Sequence, residues 1–144
     1  MLPFIFAAIA GVLMAIQGSM NGALGRIVGT LEGTFLVHAI GLGAVAVLLF
    51  LIGLGKGDLG KLPEIPWYLY LGGIINVAII FWVMFSIDKI GAGNATTAII
   101  AGQLTMAMIV DACGLFGLPQ HGMTWLRGLG LAMMVIAGKL MLVK

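Results

Sequence analysis

Charge is what this sequence has least of. Of 144 residues only 8% are charged, seven basic against five acidic, where a soluble domain carries about 25%. So few polar groups could not cover the apolar interior of a monomer in water, which excludes a soluble protein. Disorder is excluded by the same shortage, because a disordered chain combines low hydrophobicity with high charge. The net charge of +2 is too thin and too scattered for a nucleic-acid surface, so no nucleic acid is expected as a partner. A single cysteine, Cys113, excludes an intrachain disulfide. Also missing are a Gly-rich phosphate loop, a nucleophile elbow and a zinc-type His-Glu motif, and His121, Cys113 and one Asp make no metal-ligand spacing. No enzymatic chemistry, cofactor or metal is therefore expected.

What is present is apolar: 62% hydrophobic residues and a mean hydropathy of +1.21. A membrane helix needs about 20 mostly apolar residues, and the charges and prolines cut the chain into five segments of that length. They run from Pro3 to Leu24, stopped at Gly25-Arg26; from Gly33 to Leu54, ended by GKGDLGKLPEIP; from Trp67 to Ile87-Asp88-Lys89; from Gly93 to Gly117; and from Thr124 to Leu142. The opening MLPFIFAAIAGVLMAI has no basic residue before it and no cleavage-type break after it, and is expected to remain as helix. A β-barrel would alternate over segments of about ten residues, which these continuous runs do not. The expected fold is all-α, a single five-helix transmembrane domain over residues 1–144 with the lipid bilayer as its first partner. The abundant glycine suits close helix packing, as at Gly18-x-x-x-Gly22.

An odd number of spans puts the termini on opposite sides, so basic residues can be counted side by side. Lys56, Lys61 and Arg127 fall on one side and Arg26, Lys89, Lys139 and Lys144 on the other, three against four. So weak a bias allows insertion in both orientations, and two copies would then form an antiparallel homodimer resembling the inverted repeats of larger transporters. The alternative is one fixed orientation decided by a single charge.

Polar groups inside membrane helices are costly and are functional candidates by default. Gln17 and Asn21 stand i, i+4 on one face of the first span, able to contact substrate or to glue helices together. In the fourth span Thr96, Gln103, Ala107, Asp111 and Gly114 share an arc of about 80°. Asp111 is expected about five residues past the midpoint, about 8 Å along the axis and still within the hydrocarbon. A carboxyl there can exchange a proton for a cation, the physical basis of an antiporter. Otherwise it is structural, held by a hydroxyl or a helix N-terminus, or paired with Arg127 or Lys139. Glu32, in the first turn of the second span, suits the helix dipole, and His38 beyond it is a proton relay or a packing residue. In the third span Asn76 is a lone amide and Trp82 could face a cation, while Trp67, Tyr68 and Tyr70 read as interfacial anchors.

Taken in series, AIQGSMNGALGR, EGTFLVHAIG, PWYLYLGG, NATTAIIAGQL and IVDACGLFGLP resemble the YdcZ-type family, a five-helix branch of the drug/metabolite transporter (DMT) superfamily. The resemblance implies a multi-pass inner-membrane transporter equivalent to half of a ten-helix carrier, occurring as paired genes, fused doubles or single dual-orientation chains. It also implies that the first four helices surround the cavity, which carries Gln17, Asn21, Glu32, His38, Asn76, Gln103 and Asp111 onto cavity helices. One departure is Asp111-Ala112-Cys113, where the family tends to have His and an aromatic after the acid, so no relay by that His transfers. The small multidrug-resistance cousins use a glutamate in mid first helix that this chain lacks.

The expected function is a secondary transporter, an exporter of small cationic or polar organic metabolites working by alternating access and coupled to protons. Substrate binding falls to Gln17, Asn21, Asn76, Trp82 and Gln103, and proton or cation coupling to Asp111, Glu32 and His38. The alternatives are a small dual-topology ion channel and an accessory subunit with no pathway.

Overall fold

A computed structural model describes residues 1–142, so Lys144 of the charge count lies outside the described residues. The fold is all-α, with no strand among the described residues. Among the described residues five helical spans are long and apolar enough to cross a membrane, the second over Thr30–Leu51 and the third over Trp67–Ile90. Their α-helices are α1 (Leu2–Val28), α2 (Thr30–Ala46), α3 (Leu71–Ile90), α4 (Ala92–Cys113) and α5 (Trp125–Leu142). A π-helical turn, Val47–Leu51, prolongs α2, and a 3-10 turn, Trp67–Tyr70, leads into α3. Between them Asp58 Oδ1 accepts from the Gly60 amide and the Tyr70 hydroxyl donates to the Leu62 carbonyl at 2.5 Å, which orders a segment otherwise too polar to span.

Two ends differ from the sequence expectation. α1 does not stop at Leu24 but runs on to Val28, because Arg26 is neutralised where it stands: its Nε lies 2.7 Å from Asp88 Oδ1, at the matching end of α3. Lys89 Nζ takes the other carboxylate oxygen at 3.0 Å. α4 ends at Cys113, not Gly117, because Gly114 adopts φ 61, ψ 38, a left-handed conformation that favours glycine and closes a helix. The carbonyls this leaves are taken up in turn. Gly114 N–H donates to Val110 O, His121 N–H to Asp111 O at 2.8 Å, and Gln120 Nε2 to Ala112 O at 2.7 Å.

The chain forms two compact units. In the first, Met1–Lys89, glycines let α1, α2 and α3 meet backbone to side chain. A Cβ placed on Gly22 would stand 2.6 Å from Ile87 Cγ2, and one on Gly18 would stand 3.1 Å from Ile87 Cδ1. Gly18 and Gly22 are therefore the α1 face against α3, as small-residue spacing implies in a bilayer, where packing rather than water drives association. Met84 is 1% exposed, its Cε 2.8 Å from where a Cβ on Gly33 would sit, so it fills the space between α2 and α3. In the second unit, from Ile90 onward, α4 and α5 approach at Gly138 and Thr97, with an ordinary 3.4 Å between Thr97 Cγ2 and a Cβ placed on that glycine.

Candidate functional site

Within the first unit, α1, α2 and α3 line a half-open cavity of about 360 Å³ with Gln17, Val37, His38, Gly41, Leu42, Asn76 and Ile80. Each helix contributes one polar group, and between them lies an apolar wall. The three polar groups come from three separate spans, so their meeting depends on the register in which the glycine contacts set the helices.

His38 is the centre of the polar side. Its Nδ1 is 2.8 Å from the Thr34 carbonyl one turn earlier, and its Nε2 is 3.1 Å from Asn76 Nδ2. A carbonyl only accepts, so Nδ1 carries a proton there, and an amide nitrogen facing Nε2 meets that nitrogen's lone pair: the two contacts together describe the Nδ1–H tautomer. Thr34, 2% exposed, donates its hydroxyl to the Thr30 carbonyl at 2.8 Å and lies 3.5 Å from Met84 Sδ. The histidine is thereby anchored through α2 to the most buried side chain of the unit. Asn76 Oδ1 and the Gln17 amide find no hydrogen-bond partner among the described residues, which leaves them available to a ligand.

Gln17 faces a second hollow of about 510 Å³ along α1, shared with Asn21, Leu13, Met14 and Met20. Asn21 is 6% exposed, and its Nδ2 has no hydrogen-bond partner among the described residues, a donor whose isolation costs free energy until something accepts from it. The i, i+4 amides lie on one face, and the described residues do not satisfy it.

The other sequence candidates are placed differently. Glu32 is in the first turn of α2 as expected and lines a shallow hollow with Leu31, Phe35 and Leu36. Trp82 is 62% exposed and packs edge-on against Phe81 at 5.9 Å; it stands about 120° around α3 from Asn76, whereas Ile80, one turn on from Asn76, lines the cavity. In the second unit Gln103 is exposed. Asp111 sits in the last turn of α4, about 13 Å from its midpoint rather than the about 8 Å read from a helix ending at Gly117. Its Oδ2 is 3.8 Å from Arg127 Nη1, with both side chains nearly half exposed. That pairing was one of the two roles open to it.

Sequence reasoning did not single out Thr34 or the Arg26–Asp88 pair. The second was within reach, since span counting puts both residues at one side of the membrane with opposite charges. Thr34 carries no such signal.

Five helices long and apolar enough to span a bilayer, three of them lining a hollow to which each contributes one polar group, make a multi-pass membrane protein. The profile of the family described as "Putative inner membrane exporter, YdcZ" matches residues 2–140, and the chain belongs to that family. It is accordingly a multi-pass protein of the inner membrane. No curated protein and no solved structure matches the chain.

Proposed function

We propose that the chain is a proton-coupled secondary exporter of small cationic or polar organic metabolites, working by alternating access as an antiparallel, dual-orientation homodimer. The observation that carries this reading is the cavity where Gln17, His38 and Asn76 meet. It pairs free amide groups with a titratable imidazole, which gives one hollow both a cargo site and a proton site. Support for the dimer is physical. In hydrocarbon an unpaired amide is costly, yet Gln17 and Asn21 Nδ2 find no acceptor among the described residues, and the basic residues divide three against four. A second, inverted copy supplies partners and completes the ten spans of a DMT-type carrier. Asn21 then serves cargo or the partner helix, and Gln103 lies on a further polar face.

The test is reconstitution. Purified protein in vesicles loaded with a pH-sensitive dye is challenged with a metabolite panel, and at least one cationic solute should drive proton movement that empty vesicles lack. No such movement with any solute overturns the reading. Adding two lysines beside Asp88 should trap one orientation and silence the chain until an oppositely biased copy is co-expressed. Normal flux from the biased chain alone would remove the antiparallel dimer.

A further inference from the structure

We propose that Asn76 is a specificity-determining residue: its side-chain amide is a two-position switch, set by His38, that opens the cavity to hydrogen-bond-donating cations when His38 is neutral and closes it to them when His38 is protonated. The proposal rests on the exporter reading for its purpose, but its evidence is local.

In the neutral state the bonds fix every atom. His38 Nδ1–H donates to the Thr34 carbonyl at 2.8 Å, and Asn76 Nδ2 donates to His38 Nε2 at 3.1 Å. One end of the Asn76 amide is thus committed, and the committed end is the donor. Its Oδ1, the acceptor, is left for whatever occupies the cavity, beside the free amide of Gln17. A cargo bearing N–H groups and positive charge meets an acceptor, while Val37, Leu42 and Ile80 offer an apolar wall for a short hydrocarbon part.

When a proton from cavity water binds Nε2, the imidazolium has donors on both nitrogens and no lone pair. Nδ1 keeps the Thr34 carbonyl, so the change falls wholly on Asn76. Two donors cannot face each other, and the amide must turn to offer Oδ1 to Nε2–H. The cavity then meets the amide nitrogen, a donor, with a positive imidazolium behind it. A cationic donor has lost its acceptor and gained a like charge, so proton and cargo exclude one another. The same cycle run backwards releases the proton to cavity water as cargo binds, which is the bookkeeping of exchange.

No other ionisable group shares the space. α1 presents Gln17, α3 presents Asn76 and Ile80, and α2 itself presents Val37, Gly41 and Leu42, none of which titrates. The charged side chains of the three helices are held in terminal turns: Arg26 at the end of α1, Glu32 in the first turn of α2, and Asp88 with Lys89 at the end of α3. Arg26 and Lys89 are engaged with Asp88.

The chain has two histidines, His38 and His121, so a His121→Gln variant labelled with 15N-histidine reports His38 alone. In lipid nanodiscs at alkaline pH its signals should show Nδ1 protonated and Nε2 bare, and at acid pH both protonated. Two probes of equal tail are titrated in both states, butylammonium with N–H donors and butyltrimethylammonium without them. Butylammonium affinity should fall by about tenfold or more on protonation, as expected for losing a charge-assisted hydrogen bond, and butyltrimethylammonium by markedly less. Asn76→Leu should bring butylammonium down to the behaviour of its trimethyl counterpart. An Nε2–H neutral form, butylammonium binding that ignores protonation, or equal losses for both probes would each overturn the switch, whether or not the variant folds. Vesicle flux is measured separately. Coupled flux without the probe difference removes the switch and keeps the exporter; the probe difference without flux keeps the switch and removes the exporter.

Discussion

The two compact units, one built on three apolar spans and the other on two, treat their polar groups differently. In Met1–Lys89, Thr34, His38 and Asn76 bond across helices or in sequence toward one another, and Arg26 reaches Asp88 sixty-two positions away. In α4 and α5 most polar side chains are satisfied locally. Thr97 and Thr105 return their hydroxyls to the Gly93 and Ala101 carbonyls, Asn94 donates to Ile90 O, and Gln103 stays exposed. A hydroxyl that bonds its own preceding turn needs no neighbour and specifies none. A chain of bonds between helices holds only in one register, and it is there that a cavity with defined donors and acceptors can form. On the exporter reading proposed above, chemistry goes with the polar contacts between helices of the first unit.

The sharpest way to break that comparison is through backbone proximity. Gly22→Ala forces a methyl to 2.6 Å from Ile87 Cγ2, and α1 must move off α3. Overpacking of this kind should cost about 2 kcal/mol after the gain in helix propensity, read by chemical unfolding in mixed micelles. Gly138→Ala adds its methyl at an ordinary 3.4 Å from Thr97 Cγ2 and should be neutral or stabilising by about 0.5 kcal/mol. Equal costs at the two sites would mean that the units are packed alike.

Histidine supplies the next test, since each unit has one. On the exporter reading, His38→Leu removes the proton site of the cavity and should reduce pH-driven vesicle flux to the background of empty vesicles. Stability should fall by about 1 kcal/mol, as Asn76 loses its acceptor. His121, whose Nδ1 merely sits 3.0 Å from the Pro119 carbonyl, should tolerate Leu with flux intact. Loss of flux in both variants would undo the assignment of chemistry to the first unit.

Threonine gives a smaller effect of the same sign. Thr34→Val keeps shape but leaves the neighbourhood of Met84 Sδ and the Thr30 carbonyl without the hydroxyl, at a site 2% exposed. A loss of about 1 kcal/mol is expected there, against about 0.3 kcal/mol or less for Thr97→Val, whose hydroxyl serves only its own helix. Thermal unfolding of the pair, measured side by side, decides it.

How much of this could be read from residues alone follows the same divide. The five spans were legible because hydrocarbon demands long apolar runs, and Gly18 and Gly22 announced their packing face by spacing. The helix ends were less so. Arg26 resembles a stop until Asp88 is known to neutralise it, and Leu115-Phe116-Gly117 resembles continuing helix until Gly114 is seen to turn left-handed. Asn76 and His38 were each singled out as polar residues in apolar runs, but that the amide meets the imidazole depends on the register between α2 and α3. Periodicity within one helix contains no information about its rotation against another. For a related reason Asp111 stands nearer its helix end than the sequence suggests, because α4 stops at Cys113 and not at Gly117.

Asp111 therefore gives the smallest expected effect and the closest test of the comparison. Its partner Arg127 is 3.8 Å away with both side chains nearly half exposed, and pairs of that kind contribute at most about 1 kcal/mol. Against this, a carboxylate in the last turn of a helix faces the negative end of the dipole, a penalty of about 0.3–1 kcal/mol. Asp111→Asn removes both at once while keeping an amide of the same shape. The two effects nearly cancel, so stability should change by no more than about 0.5 kcal/mol, and proton-coupled flux in vesicles should persist. Arg127→Gln should be slightly worse, because it leaves the carboxylate beside the helix end with nothing to offset it. If Asp111→Asn instead folds normally and abolishes coupling, the exchanging group is the α4 acid, and the second unit carries chemistry through a contact that its own helices do not reveal.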